Sequence, residues 1–152
     1  MDATRLNQYG IREARMSDAA VIASLVTQLG YPTCTGKMQE RLGLLLARPD
    51  YVTLVAVSGE EVVGLVGAYL SLALEYTGTF GRLTGMVVDE KWRGRGIGTL
   101  LMGEIERRLC AIGARMITLN SGSHRTEAHQ FYRKLGYQET GVRFIKALPA
   151  TR

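Results

Sequence analysis

Cysteine is scarce in this sequence. Cys34 and Cys110 are the two cysteines among 152 residues, and they lack the spacing of a metal site. Two cysteines also cannot build the disulfide framework of a small secreted protein. We therefore expect reduced thiols, no bound metal and a cytoplasmic protein.

Long apolar runs are missing as well. No stretch approaches the ~20 apolar residues that cross a bilayer, and the polar residues 1–8 lack the apolar core of a signal peptide. These absences predict a soluble protein without a membrane partner. Because residues 1–8 are polar, we also expect them to be disordered.

A dense run of lysine or arginine is the third absence. The net charge is +5, but the basic residues are interspersed with acidic ones. This excess suits an anionic ligand, and a basic nucleic-acid-binding domain is the least favoured alternative. With 46% hydrophobic and 22% charged residues, the chain is typical of globular proteins, and its length predicts one domain, 1–152.

Hydrophobic periodicity divides the chain into alternating helices and strands. Capping residues and glycines mark the helix ends, as at Asp18 and Gly30. The predicted helices lie between these two residues, between Gly36 and about Arg48, at 96–112, and from Arg125 to Leu135. The predicted strands are 9–15, 51–58, 61–74, 82–89, 115–120 and 137–148, with a connecting turn at 75–81.

The central feature is a glycine-rich turn, Arg93-Gly-Arg-Gly-Ile-Gly98, between an apolar strand and an amphipathic helix. Backbone N–H groups at a helix N-terminus form a site for a phosphate, and glycines let the backbone approach it. The spacing differs from Gly-x-Gly-x-x-Gly, and the Gly-Lys-Ser/Thr ending of a nucleotide-hydrolysing P-loop is absent. A turn that is rich in glycine for its geometry alone is the remaining alternative.

The surroundings of the turn resemble the GNAT superfamily of acyl-CoA N-acyltransferases. An Arg-x-x-Gly-x-Gly signature falls on Arg93, Gly96 and Gly98, after the strand that ends in Val87-Val88-Asp89. Downstream, Ala128-x-x-Phe-Tyr-x-x-Leu-Gly-Tyr137 matches the family's later helix. The resemblance covers essentially the whole chain. The stretches 82–90, 121–132 and 143–146 are further similar to a small bacterial subgroup that includes the aminoalkylphosphonate N-acetyltransferases.

This resemblance implies an α/β (α+β) GNAT fold. The expected core is a mixed sheet of about six to seven strands with about four helices. The sheet is expected to splay between the strands near 82–89 and 115–120, because the pantetheine arm of the cofactor pairs with the first of these strands in the family. The resemblance also makes the protein an acyltransferase that moves an acetyl group from acetyl-CoA to a primary amine by direct attack in a ternary complex.

The expected cofactor contacts follow from the same resemblance. The Met86 N–H would polarise the thioester carbonyl, and the amides of the turn would hold the pyrophosphate with the charge of its two arginines. The cofactor residues are therefore Met86, Val87, Val88, Arg93, Gly94, Arg95, Gly96, Ile97, Gly98, Thr99 and Asn120.

Tyr132 matches the family tyrosine that protonates the departing thiolate. Many relatives carry a glutamate or histidine as base just before the Val-Val pair, where this sequence has Arg82, Thr84 and Gly85. His129, three residues before Tyr132 and of a residue type that often acts as a base near neutral pH, is the first alternative. His124, Glu75, an ordered water, or the absence of a dedicated base are the others.

The acceptor site is expected in the loops at 31–36 and 75–81 and in the segment 121–125. Its predicted residues are Tyr31, Glu75, Arg82, Ser121, His124 and Arg125. Three of these are cationic or can become so, which favours an acceptor with a phosphonate or carboxylate group. Two points stay open: the partner could be a small-molecule or a peptide amine, and the missing base leaves a CoA-binding module without turnover as an alternative. A homodimer is common among the relatives.

Overall fold

A computed structural model describes residues 8–150 of the chain. It falls into two units, one ending at Leu119 and one beginning at Asn120, and each is described by itself. The prediction of a single domain over 1–152 stays a prediction, and the predicted disorder of 1–8 concerns residues that lie, apart from Gln8, outside the described part.

The first unit contains a five-stranded mixed sheet and three helices. Its strands are β1 (Gly10–Glu13), β2 (Tyr51–Ser58), β3 (Glu61–Ala73), β4 (Tyr76–Val88) and β5 (Ala114–Thr118), and its helices are α1 (Ala19–Leu29), α2 (Thr35–Leu46) and α3 (Ile97–Ala111). Short 3-10 turns occupy Met16–Asp18 and Glu90–Trp92. The strands lie in chain order, antiparallel from β1 to β4 and parallel between β4 and β5.

The helices cover both faces of this sheet. Helix α3, which joins the two parallel strands, buries Ile97, Leu101, Ile105 and Leu109 almost completely, one residue per helical turn. A core cluster on the other face combines α1 and α2 with the sheet, from Ile22, Leu25, Met38 and Leu42 to Val55, Leu65 and Val87. Apolar residues at helical spacing thus form the buried faces of α1, α2 and α3.

Strand β4 changes its orientation at Thr84. Gly67 is opposite Gly85, but Ala68 is opposite Leu83, so Thr84 is an extra residue in a β-bulge. Before the bulge, a Cβ on Gly81 would lie 2.7 Å from Leu109 of α3. After it, a Cβ on Gly85 would lie 3.5 Å from Leu29 of α1, on the opposite face. The bulge therefore exchanges the faces towards which β4 side chains point.

The sheet splays just before this bulge. The parallel register of β4 and β5 runs from Thr79 opposite Ala114 to Arg82 opposite Thr118 and stops there. Within the described residues, the rest of β4, residues 83–88, pairs with β3 alone. The predicted splay between these two strands is confirmed.

The second unit contains one helix, α4 (Thr126–Lys134). The strand expected at 137–148 is wrong: no strand is assigned at 135–150, and the apolar side chains of Val142, Phe144, Ile145 and Leu148 are 79–90% exposed. The local sequence and the order of elements in the family that the chain resembles predicted this strand, but a strand forms only where a neighbour supplies hydrogen bonds. The described sheet consequently has five strands rather than six to seven, whereas the mixed fold class and the four helices are confirmed.

The turn expected at 75–81 is much shorter than predicted. Strand β4 already begins at Tyr76, which is opposite Ala73, and Phe80 is opposite Ser71. Tyrosine, threonine and phenylalanine favour strands, and here they extend the hairpin. Among the helices of the described residues 8–150, none is both long and apolar enough to cross a membrane.

Candidate active site

The backbone of β4 presents polar groups at the splayed edge that no neighbouring strand pairs. Hydrogen-bonded and non-hydrogen-bonded pairs alternate along antiparallel strands. The Asp89 N–H donates to the Val63 carbonyl at 2.8 Å, one pair beyond Val88 opposite Gly64. Val88 and Met86 are therefore in non-hydrogen-bonded pairs, and their N–H and C=O groups point away from β3, towards the edge that β5 has left.

The glycine turn continues directly from this edge. Gly94 and Gly96 have φ values of 77° and 84°, a left-handed conformation that favours glycine. Gly96 is the N-cap residue of α3 and, as a glycine, has no side chain that could occupy the first amides of the helix. Leu100 donates its N–H to the Gly96 carbonyl at 3.1 Å, so the amides of residues 97–99 precede the first helical hydrogen bond and are free to receive an anion.

Both arginines of the turn contact the protein itself. Arg93 donates from Nε to the Val88 carbonyl at 3.0 Å. The Arg95 guanidinium lies 4.7 Å above the Trp92 ring, in a cation–π arrangement. These contacts hold two positive charges beside the amides of the turn, and both side chains remain exposed.

A group of hydrogen bonds between α1 and the residues just before the glycine turn was not predicted from the sequence. Gln28 of α1 donates to the Asp89 carboxylate at 3.0 Å and accepts the Glu90 N–H at 3.0 Å. Asp89 also accepts the Lys91 N–H at 2.9 Å. These hydrogen bonds, that of Gln28 first, lower the pKa of Asp89. The sequence shows an aspartate directly after Val87-Val88, but it does not show that Gln28, 61 residues earlier, is the hydrogen-bond partner of this aspartate.

A hydroxyl chain on the sheet face beside the bulge was also missed. Thr84 donates from Oγ1 to the Gly67 carbonyl at 3.1 Å, and the Tyr51 hydroxyl hydrogen-bonds to the same Oγ1. The Tyr51 ring stacks on Tyr69 with 5.8 Å between the ring centroids, and burial raises the pKa of the Tyr51 phenol. Arg82 is the cross-strand neighbour of Tyr69.

The predicted acid, Tyr132, is 8% exposed. Its ring meets Phe131 and Tyr137 edge-on, at centroid distances of 5.3 and 5.8 Å. Burial raises the pKa of the Tyr132 phenol, against a smaller lowering by the charge of Arg125. The phenol therefore keeps its proton at neutral pH.

The alternative base, His129, already has a partner. Its Nε2 lies 2.9 Å from the Gly122 carbonyl, and because a carbonyl only accepts, Nε2 carries the proton. Nδ1 is then the nitrogen that could accept a proton. The His124 ring lies over Gly122, where a Cβ would approach it to 2.8 Å, and Arg125 donates its N–H to the same Gly122 carbonyl at 2.9 Å.

The other predicted residues are at varied positions. Tyr31 follows α1 and is 60% exposed, and Glu75 lies in the turn between β3 and β4. Asn120 is exposed, and the buried Oγ of Ser121 finds no hydrogen-bond partner in the described part of the chain. The structure thus brings the predicted residues between Arg82 and Thr99 together along one strand and its turn, whereas those from Asn120 onwards belong to the second unit.

Comparisons with known proteins agree with this geometry. The model of the Acetyltransferase (GNAT) family matches residues 19–137. The aminoalkylphosphonate N-acetyltransferase of Salmonella typhimurium is 31% identical over 103 residues, which cover 68% of this chain and 67% of that protein. The aminoglycoside N(6')-acetyltransferase type 1 of Stenotrophomonas maltophilia is 30% identical over 135 residues, or 86% of each chain.

A solved structure has the same architecture. The GNAT family acetyltransferase of Staphylococcus aureus superposes with a TM-score of 0.79 at 25% identity. The superposition covers 93% of this chain and 99% of that one. The match extends along almost all of both chains.

Proposed function

Because the chain belongs to the GNAT family of acetyltransferases, enzymes that use acetyl-CoA to acetylate amines, we propose that its acceptor is the primary amine of a small molecule that also carries an anionic group. The observation that carries the assignment of the cofactor site is the free edge of β4 at 83–88, which runs directly into the glycine turn.

The free edge supplies the contacts that an acetyl-pantetheine arm requires. The arm has amide groups, so it can extend the sheet like an added strand, with hydrogen bonds to the main chain of Met86 and Val88. The Met86 N–H then donates to the thioester carbonyl oxygen and stabilises the oxyanion that forms on attack. Val87, which is 5% exposed, contributes by packing the strand against the core.

The glycine turn is proposed to hold the pyrophosphate. The amides of Ile97, Gly98 and Thr99 point out of the N-terminus of α3, where the helix dipole favours a negative charge. The guanidinium groups of Arg93 and Arg95 add charge at this position. Acetyl-CoA is thus the co-substrate, and none of the proposed steps uses a metal.

The proposed reaction is a direct transfer. The neutral amine attacks the thioester carbon, the C–N bond forms and the C–S bond breaks. Tyr132 donates its proton to the departing thiolate and regains one that the nitrogen has lost, with His129 Nδ1 or water as the relay. Tyr132 takes its role from its place in the family's sequence pattern, and the protonated phenol described above supports it. His129 is proposed because it lies three residues before Tyr132 on the same helix.

Arg82 is the residue proposed to select the anionic group of the acceptor. It is opposite Thr118 in the last pair of β4 and β5 before the splay, and no acidic side chain of the described residues is hydrogen-bonded to it. A cation at this position also favours the neutral form of a nearby amine, which compensates for the missing base. The relative that acetylates aminoalkylphosphonates, by its name, supports this acceptor class.

Localisation and assembly are proposed more briefly. The exposed thiols of Cys34 and Cys110 suit the reducing cytoplasm. A homodimer stays a prediction, and so do the acceptor roles of Tyr31, Glu75, Ser121, His124 and Arg125 and the cofactor role of Asn120.

The test is a screen for acetyl-CoA-dependent thiol release with aminophosphonates, amino acids, polyamines, aminoglycosides and peptides. We expect the highest kcat/KM for an amine that carries a phosphonate or carboxylate. Acetylation of polycationic amines alone would contradict the acceptor class, and binding of acetyl-CoA without thiol release from any amine would contradict turnover.

A further inference from the structure

We propose that the phenolic oxygen of Tyr51 binds the acceptor amine by accepting a hydrogen bond from its nitrogen. This inference rests on the proposed function, because it names a contact for the amine in that reaction. It is carried by the direction of the hydroxyl chain formed by Tyr51, Thr84 and Gly67.

The direction of this chain follows from counting protons. The Gly67 carbonyl can only accept, so the bond of 3.1 Å between it and Thr84 Oγ1 uses the one proton of the threonine. The bond between Thr84 and the Tyr51 hydroxyl must therefore use the phenolic proton. Both protons are committed within the protein, and the lone pairs of the Tyr51 oxygen remain available.

An oxygen that can only accept selects for a donor. An amine or ammonium group has N–H bonds to offer, whereas a carboxylate or phosphonate oxygen would meet lone pairs and be repelled. Burial raises the pKa of Tyr51, so the phenol stays neutral and its proton stays in the chain. The contact is therefore specific for the nucleophilic end of the proposed acceptor.

The position of the chain suits this role. Thr84 is the bulged residue of β4 and lies two residues before Met86, about 7 Å along the strand. The amine would thus be bound on the sheet face beside the edge where the thioester is proposed to lie. Arg82 lies two residues before Thr84 on the same strand, within reach of the anionic group of the same small molecule.

Gly67 and Tyr69 allow the Tyr51 hydroxyl to take this position. A Cβ on Gly67 would lie 3.2 Å from Thr84 Oγ1 and 3.5 Å from the Tyr51 hydroxyl, so glycine lets the chain lie flat on the sheet. Tyr69 supports the Tyr51 ring by stacking and also lines an open cavity of about 440 Å³ with Arg48, Asp50 and Ser71.

The test compares steady-state kinetics of Tyr51→Phe with the wild type, with the best amine of the screen. The variant keeps the ring and loses the oxygen. We expect KM for the amine to rise by up to about 10-fold, the usual effect of losing one hydrogen bond, with kcat and KM for acetyl-CoA within twofold. Tyr9→Phe removes a phenolic oxygen just before β1 and keeps the ring that contacts Trp92 edge-on. It is the matched control and is expected to show the wild-type KM for the amine.

Substitutions at Thr84 test independently whether Tyr51 donates its proton to Thr84. Thr84→Val removes the acceptor of the Tyr51 proton and should also raise KM for the amine, whereas Thr84→Ser restores the hydroxyl and should return KM to within twofold. An unchanged KM for the amine in Tyr51→Phe, or equal changes in both KM values, would overturn the inference while the proposed function stands. Absence of thiol release in the wild type would instead overturn both.

Discussion

The Val88 carbonyl accepts a hydrogen bond from Arg93 Nε at 3.0 Å. This bond ties the last residue of β4 to the first residue of the glycine turn, across the short Glu90–Trp92 turn. The edge that is proposed to pair with pantetheine and the turn that is proposed to hold pyrophosphate are thereby fixed relative to each other. In the proposed site, one arginine would thus both fix the geometry and add positive charge.

Arg93 can be tested by substitution and calorimetry. Arg93→Ala removes the bond to Val88 and one positive charge, so we expect Kd for acetyl-CoA to rise about 10-fold or more. Arg93→Lys keeps the charge without the Nε–H and should lie between this variant and the wild type. Arg107→Ala removes an exposed arginine that pairs with Glu104 on α3 and should bind as the wild type does. If Arg93→Ala bound acetyl-CoA with the wild-type Kd, Arg93 would not be part of the cofactor site.

Substitutions at Gly96 test the proposed pyrophosphate site in the glycine turn. Gly96→Glu places a side chain and a negative charge where φ is 84°, so we expect the thermal stabilisation by acetyl-CoA to disappear. Gly103→Glu makes the same chemical change on the same helix, where a Cβ would meet nothing within 4 Å, and should keep that stabilisation. Gly96→Ala separates backbone strain from charge and should retain part of it. Full stabilisation of Gly96→Glu would contradict the pyrophosphate site.

Removal of the Tyr132 hydroxyl tests its proposed role as the general acid. Tyr132→Phe should lower kcat at least 10-fold with little change in Kd for acetyl-CoA, because general-acid catalysis typically contributes about 100-fold or more. Since burial raises the pKa of this phenol, the wild-type acid should stay protonated up to and beyond the usual tyrosine pKa of ~10. Unchanged kcat where chemistry limits the rate would make Tyr132 a core residue alone.

Stability at low pH tests an ion pair near the first helix. Asp18 is 6% exposed and accepts two hydrogen bonds from Arg12, at 2.8 and 2.9 Å. The bond to Arg12 lowers the pKa of Asp18, so its stabilisation is complete above the unfolded value of ~3.9 and is lost as the pH falls through the lower folded value.

We expect Asp18→Asn to reduce the free energy of unfolding at pH 7 by about 2 kcal/mol and to flatten its fall at acid pH, measured by urea titration. Asp50→Asn breaks an exposed pair with Arg48 and should change stability little. Equal losses in the two variants would show that burial of Asp18 is unimportant.

Local patterns predicted the parts of the fold that depend on local physics. The stripe of Ile97, Leu101, Ile105 and Leu109 and the glycine turn before it are both readable in the sequence, because helical periodicity and positive φ are properties of adjacent residues. The splay after Arg82 was predicted through the family resemblance rather than through the residues themselves.

Long-range register could not be predicted in this way. The bond of Gln28 to Asp89 and the chain from Tyr51 to Thr84 join residues 61 and 33 positions apart, and the chain depends on a one-residue bulge. The strand expected at 137–148 was wrong for the related reason that the sequence of a segment does not identify its pairing partner. Asp18, expected to cap α1 with its side chain, instead pairs with Arg12, a contact between separate elements.

The most direct test of the cofactor site is amide hydrogen exchange with and without acetyl-CoA, resolved by residue. The N–H groups of Met86 and Val88 point to the free edge, and those of Ile97, Gly98 and Thr99 point out of α3. We predict that acetyl-CoA slows the exchange of these five amides more than that of amides elsewhere in β4 and α3. Binding of acetyl-CoA that leaves the exchange of all five unchanged would contradict the site.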